Sequence, residues 1–123
     1  MIKEKNDKES DILTDQIIGG IQEKAGHDIV TLDLSRIDSS VCKTFVICHG
    51  TSKIQVGAIA DSVYAEVKKN TGQIPFHKEG HQNSDWILVD YFDVVVHIFT
   101  EETRKFYNLE GLWADAEKKT ISD

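Results

Sequence analysis

Residues 85–99 read DWILVDYFDVVVHIF, two runs of β-forming residues joined at Tyr91-Phe92 with an acid on either side of the joint. Side chains alternate across a strand, so placing the turn sets the faces. With Tyr91 and Phe92 as a two-residue loop, Asp90 lies opposite Asp93, Leu88 opposite Val95 and Trp86 opposite His97. One face then carries Ile87, Val89, Val94, Val96 and Ile98; it is wholly aliphatic and must meet a core. The other carries Trp86, Leu88, Asp90, Asp93, Val95, His97 and Phe99. A buried layer tolerates that mixture badly unless each polar group finds a partner, and acids facing each other weaken a strand pair. This second face is expected to meet something outside the hairpin, whether a covering helix, a cation or another protein.

Outward from the hairpin, the remaining elements follow from period and turn chemistry. Leu13, Ile17 and Ile21 recur at helical spacing between Ser10 and Ala25, with Ser10 or Asp11 as cap, Gly19-Gly20 as a weak middle and Gly26 as the end. IVTLDL at 29–34 reads as a strand, and the uncharged TFVIC at 44–48 as a second, buried on both faces. Ser52 can cap a helix carrying Val56, Ile59, Ala60, Val63 and Val67, which Gly72 can stop. A short extended piece around Ile74 and Phe76 precedes the hairpin. A last helix starts near Thr100, with Glu101 and Glu102 at its positive end and Phe106, Leu109 and Trp113 as its apolar stripe. The expected order is α-β-β-α-β-β-β-α, a single α/β domain over 10–113 with a mixed sheet and flanking helices, between a polar tail at 1–9 and a frayed tail at 114–123.

At 123 residues, 40% hydrophobic and 28% charged, the chain has the makings of one globular core. Its net charge of −7, from 14 basic and 21 acidic residues, argues against general nucleic-acid binding and favours a basic protein partner. MIKEKNDKES at the N-terminus is too charged for a secretory signal, and no apolar run reaches a membrane span. A cytoplasmic location is expected, with Cys42 and Cys48 as free thiols.

Motifs with possible chemistry are incomplete. Gly50-Thr51-Ser52, between strand and helix, could offer N–H groups to a phosphate, but the same residues make an ordinary capped turn and no P-loop or dinucleotide fingerprint is present. A nucleotidyltransferase would also need carboxylates close together for metal ions, whereas Asp90 and Asp93 straddle a turn. His77, Glu79 and His81 alternate as zinc ligands could, yet Gly80 and Gln-Asn-Ser favour a solvated loop. His97 beside Trp86 could be a general base. No nucleophile is linked to it, and a packing histidine is the simpler reading. No catalytic set, metal or cofactor is expected.

The ordered motifs FVICHGTS, AIAD, P-x-x-x-E-G, DWILVDYFDVVVHIF and RKFYNLEGLW resemble the ribosomal silencing factor family, also called Iojap-related, from the first helix to Trp113. The resemblance implies a fold with nucleotidyltransferase-like topology but no transferase activity. It also implies binding to the large ribosomal subunit through its protein L-fourteen, which blocks small-subunit joining and represses translation when nutrients are scarce. A homodimer when free is implied as well; with the charge and the lack of a membrane-length apolar run, no sequence-specific nucleic acid and no membrane are expected as partners. Carried over by position, the D-W tryptophan is Trp86 and the D-x-G-D acids are Asp90 and Asp93. With Leu88, Phe92 and His97, these are the expected partner contacts, Trp86 being an exposed anchor. Arg104, Tyr107, Leu109, Glu110, Leu112 and Trp113, with Glu79 and Gly80, are mostly expected to support the hairpin. Phe92 stands where the family commonly has Gly, and Lys43 where it usually has Asp. The alternatives from other classes are a small nucleotide-binding enzyme of nucleotidyltransferase-like fold and a structural adaptor that dimerises through the same sheet face.

Overall fold

The computed structural model describes residues 2–37 and 42–122. Its elements in chain order are α1 (Ile2–Glu23), β1 (His27–Asp33), β2 (Thr44–Gly50), α2 (Lys53–Thr71), β3 (His77–Glu79), β4 (Trp86–Asp90), β5 (Val94–Thr100), α3 (Glu101–Tyr107), α4 (Leu109–Leu112) and β6 (Glu117–Thr120). The six strands form one sheet in the order β3-β4-β5-β2-β1-β6. β2 and β5 run parallel at its centre, and every other pair is antiparallel. A parallel pair needs a crossover, and α2 begins it. The central strands are covered on both sides, as the uncharged runs required: Phe45–Gly50 and Val94–Phe99 are buried throughout.

α1 and α2 cover one face. Leu13, Ile17 and Ile21 of α1 meet Val56, Ile59, Val63 and Val67 of α2 over Val46, Cys48 and the predicted aliphatic set Ile87, Val89, Val94, Val96 and Ile98. Gly20 of the glycine pair in α1 acquires a purpose here. A Cβ on Gly20 would sit 2.8 Å from Val63 Cα, and Ser62 Oγ donates to the Gly20 carbonyl at 2.8 Å, so the bare backbone is where the two helices touch. α2 is bounded as expected by the Ser52 side chain, which accepts from Gln55 N, and by Gly72 at φ 76.

On the opposite face, Val30, Leu32, Phe45, Ile47, Val95 and Phe99 are overlaid by Leu109 and Trp113. Phe106 leaves the expected stripe and is 80% exposed. Its helix stops at Tyr107, Asn108 turns left-handed at φ 47 and caps α4, so the stripe is broken there and Leu109 and Trp113 reach the sheet without Phe106.

Both expected tails are corrected. Residues 117–120 do not fray but pair with β1, from Val30↔Thr120 to Asp33↔Glu117. EKKT is exposed at all four positions and so carries no alternation to read; charged edge strands of this kind also resist pairing with further chains. At the other end α1 begins at Ile2, because the Lys- and Glu-rich segment before Ser10 is itself helix-forming.

Candidate partner-binding face

The hairpin closes one residue later than the sequence suggested. Tyr91 N donates to Val94 O at 2.9 Å, making Phe92-Asp93 the loop, and the pairs become Asp90↔Val95, Leu88↔His97 and Trp86↔Phe99. Each cross-strand partner moves by two positions, so the residues within the two strands keep their faces, while Asp93 leaves the mixed face. The facing acids do not exist. Asp90 lies between Val95 and His77, and its Oδ1 accepts from Phe92 N at 2.7 Å. Asp93 sits in the loop, accepting from Ser10 Oγ of α1 at 3.5 Å.

That turn makes Phe92 a costly residue at its position. Asp93 N donates to Tyr91 O at 3.1 Å across a residue at φ 79, a three-residue turn of positive φ that is strained for any side chain. Phe92 is 71% exposed, its ring 6.3 Å from the equally open Phe76. Phe92→Gly is expected to raise folding stability by about 0.5–1 kcal/mol, since relief of left-handed strain outweighs the extra entropy of glycine in the unfolded chain. A lowered urea midpoint would show that the Phe76–Phe92 contact outweighs the strain.

Trp86 is half-buried rather than a free-standing anchor. Its ring lies 4.9 Å from Phe99 and 4.7 Å from Tyr107 of α3, and Nε1–H donates to His97 Nδ1 at 3.1 Å. His97 is 4% exposed, edge-on to Phe45 at 4.5 Å, so it backs this face from beneath. Burial pushes its pKa down to about 4. The ring is neutral at pH 7, and accepting at Nδ1 places its proton on Nε2. Leu88 and Asp90 remain half-exposed, beside Glu79 and His77 of β3. Gly80, at φ 89, lets the β3–β4 connection pass against the Trp86 carbonyl, where a Cβ would collide.

The Arg104 motif does a different job from the one expected. Arg104 Nε pairs with Glu110 at 3.0 Å, while Nη1 donates to the Asp28 carbonyl at 2.7 Å and meets His49 Nδ1 at 3.0 Å. Lys118 of β6 reaches Glu110 at 3.2 Å. Burial raises the Glu110 carboxyl, but Arg104 and Lys118 outweigh it and hold the pKa below its usual value. Burial, then Arg104, lowers that of His49. The cluster binds α3 and α4 to β1, β2 and β6, away from the hairpin turn; Tyr107 alone of the motif stacks on Trp86. Trp113 packs on Phe45, 5.8 Å away, and Leu112 is 74% exposed. His49 had no sequence signal beyond its place in FVICHGTS, because its partner lies 55 residues away.

The remaining candidates are accounted for locally. Thr51 N and Oγ1 donate to Gln55 Oε1 at 2.7 and 3.0 Å, and Gln55 N donates to Ser52 Oγ at 3.1 Å, so these donors are taken by the turn itself. His77 pairs with Glu79 at 3.1 Å, and no cluster fit for a metal ion occurs among the described residues. Both cysteines are free thiols; burial pushes the pKa of Cys42 up to about 11 and of Cys48 to about 12. No helix among the described residues is long and apolar enough to cross a membrane.

Residues 7–123 match the family described as ribosomal silencing factor during starvation. The ribosomal silencing factor RsfS of Bacillus subtilis is 45% identical over 94 residues, which cover 76% of this chain and 78% of that protein. A crystal structure of a protein from Chromobacterium violaceum aligns with a TM-score of 0.79 at 30% identity over 92% of each chain. More distantly, the mouse protein named mitochondrial assembly of ribosomal large subunit protein 1 is 29% identical over 103 residues, 80% of this chain and 44% of its own length. The match over nearly the whole sequence, with the hairpin, its turn and the Arg104 cluster in one α/β domain, means that this chain belongs to the ribosomal silencing factor family.

Proposed function

We propose that this silencing factor docks on the large ribosomal subunit through ribosomal protein L-fourteen and keeps the small subunit from joining. The observation that carries this reading is the partly uncovered sheet face at β4. α3 and α4 overlie β5 and β2, leaving Leu88 and Asp90 half-exposed beside Trp86, with Phe92 at the tip. An apolar centre with an acidic neighbour on a rigid sheet suits a basic protein surface. A chain of net charge −7 would be repelled by ribosomal RNA phosphates, so a protein site on the subunit is the favourable one. The relatives' names point to the ribosome, and that of the mouse protein to its large subunit. Silencing then needs no chemistry, only a body occupying the joining surface. The free chain forms a homodimer in this reading.

Co-sedimentation with isolated large subunits, followed by addition of small subunits, tests the proposal. The chain should pellet with large subunits and reduce joined ribosomes in proportion. Asp90→Lys, which places a cation against a basic partner, is expected to weaken binding by about 2 kcal/mol, some thirtyfold. Asp93→Lys should do less, its carboxylate being directed to Ser10. Equal pelleting of wild type and folded Asp90→Lys would remove this face from the interface. The enzyme alternative predicts a thermal shift with nucleotide and Mg²⁺; none is expected, the Thr51 and Gln55 donors being occupied.

A further inference from the structure

Between the β3–β4 connection and α3 lies a cleft of about 540 Å³, lined among others by Asp85, Trp86, Glu102, Phe106 and Tyr107. We propose that it receives the guanidinium of an arginine side chain presented by the protein partner, a proposal that rests on the docking reading above and specifies one of its contacts. The composition is that of a cation cage. Tyr107 packs on Trp86 at 4.7 Å and Phe106 meets Tyr107 at 88° and 5.1 Å, so the open aromatic surface of the cleft comes from Phe106 and the exposed half of Tyr107, with Trp86 behind them. Ring faces attract cations, and a planar guanidinium both stacks on them and forks onto a carboxylate.

Exposure points the same way. Phe106 is 80% exposed, although the fold had Leu109 and Trp113 to cover the sheet, so its ring is not serving the core, and Tyr107, which packs on Trp86, still leaves 50% of its surface open. The carboxylates differ in availability. Asp85 is held by Lys53 Nζ at 3.5 Å and by the Asn83 amide at 2.8 Å. Glu102 is exposed and has no ion pair or side-chain hydrogen bond among the described residues, leaving it to meet an incoming cation. A positive group is also what a chain of charge −7 attracts. Trp86 gives the cleft a link to the β4 face, since the same ring borders both.

The probes are N-acetyl-arginine methylamide and its uncharged isostere N-acetyl-citrulline methylamide. Each is titrated into the full chain while the Trp86 indole Nε1–H resonance, assigned with Trp86→Phe, is followed by NMR. The arginine derivative should produce a saturable shift that the citrulline derivative does not. Phe106→Ala and Glu102→Gln, both at exposed positions, should keep the wild-type melting temperature while each weakens that binding about fivefold. The same variants should lose about fivefold in co-sedimentation with large subunits. No saturable shift, or equal shifts from both probes, overturns the proposal, as do folded variants that pellet like wild type. The two readings fail separately. A wild-type chain that binds the arginine derivative but never pellets refutes ribosomal docking and upholds the cleft chemistry; one that pellets while binding neither probe does the reverse.

Discussion

Acidification from pH 7 to pH 4 is expected to remove on the order of 3 kcal/mol of folding stability through His97 alone. Its pKa is about 4 in the fold against the usual 6.5, because burial penalises the charged ring. The unfolded chain therefore binds a proton that the folded chain refuses. Stability is fully present above about 6.5 and drains away as pH falls towards 4. His49 is shifted in the same direction, by burial first and Arg104 second, and adds to the loss. The lowered carboxyls of Asp33 and Glu110 act mainly below this window, since their stabilisation begins to be lost only near the ordinary carboxyl values of 3.8 and 4.5 and continues as pH falls through their depressed folded values. Urea unfolding at several pH values between 7 and 4 measures the slope. His97→Gln, which keeps an acceptor for the indole of Trp86 but cannot titrate, should flatten most of it; an unchanged slope would assign the acid lability elsewhere.

Trp86→Ala is expected to cost about 3 kcal/mol, well above the 1 kcal/mol or less of an exposed anchor. A fully packed tryptophan loses about 3–5 kcal/mol on truncation. Trp86 is half-buried and would sit below that range, but its removal also strands the buried His97 Nδ1 without a donor, worth about 1–3 kcal/mol. Trp86→Phe separates the contributions: it keeps a ring against Phe99 and Tyr107 and loses only the N–H, for roughly 1–2 kcal/mol. Subunit binding measured per folded molecule should still fall in Trp86→Ala, since the ring borders the proposed face. A stability loss under about 1 kcal/mol would restore the exposed-anchor reading and make His97 the only buried member of the pair.

What could be read from the residues was whatever is local or periodic. The α1 stripe Leu13, Ile17 and Ile21, the buried character of β2, the Ser52 and Gly72 ends of α2, and the aliphatic set Ile87, Val89, Val94, Val96 and Ile98 all occupy the places that spacing assigned them. Period 2 and period 3.6 survive small errors of placement, which is why a hairpin loop set one residue early still yielded the right faces for the residues within the strands. Facing partners do not survive such an error, and the supposed pair of acids vanished with it.

Tertiary structure alone decided four matters. β6 has no pattern of its own and pairs because β1 offers a free edge. Gly20 breaks no helix because Val63 of α2 comes to its bare backbone. Arg104, His49, Glu110 and Lys118 meet from four separate elements, a convergence no motif encodes. Trp86 is half sealed by Tyr107 of α3 and by a neutral His97, so one side chain holds the fold and borders the candidate site together. Side-chain type and spacing determine which face a residue joins. Which neighbours cover that face, and hence its burial, charge state and availability to a partner, depends on contacts between segments far apart in the chain, whose energies are set only when the elements pack.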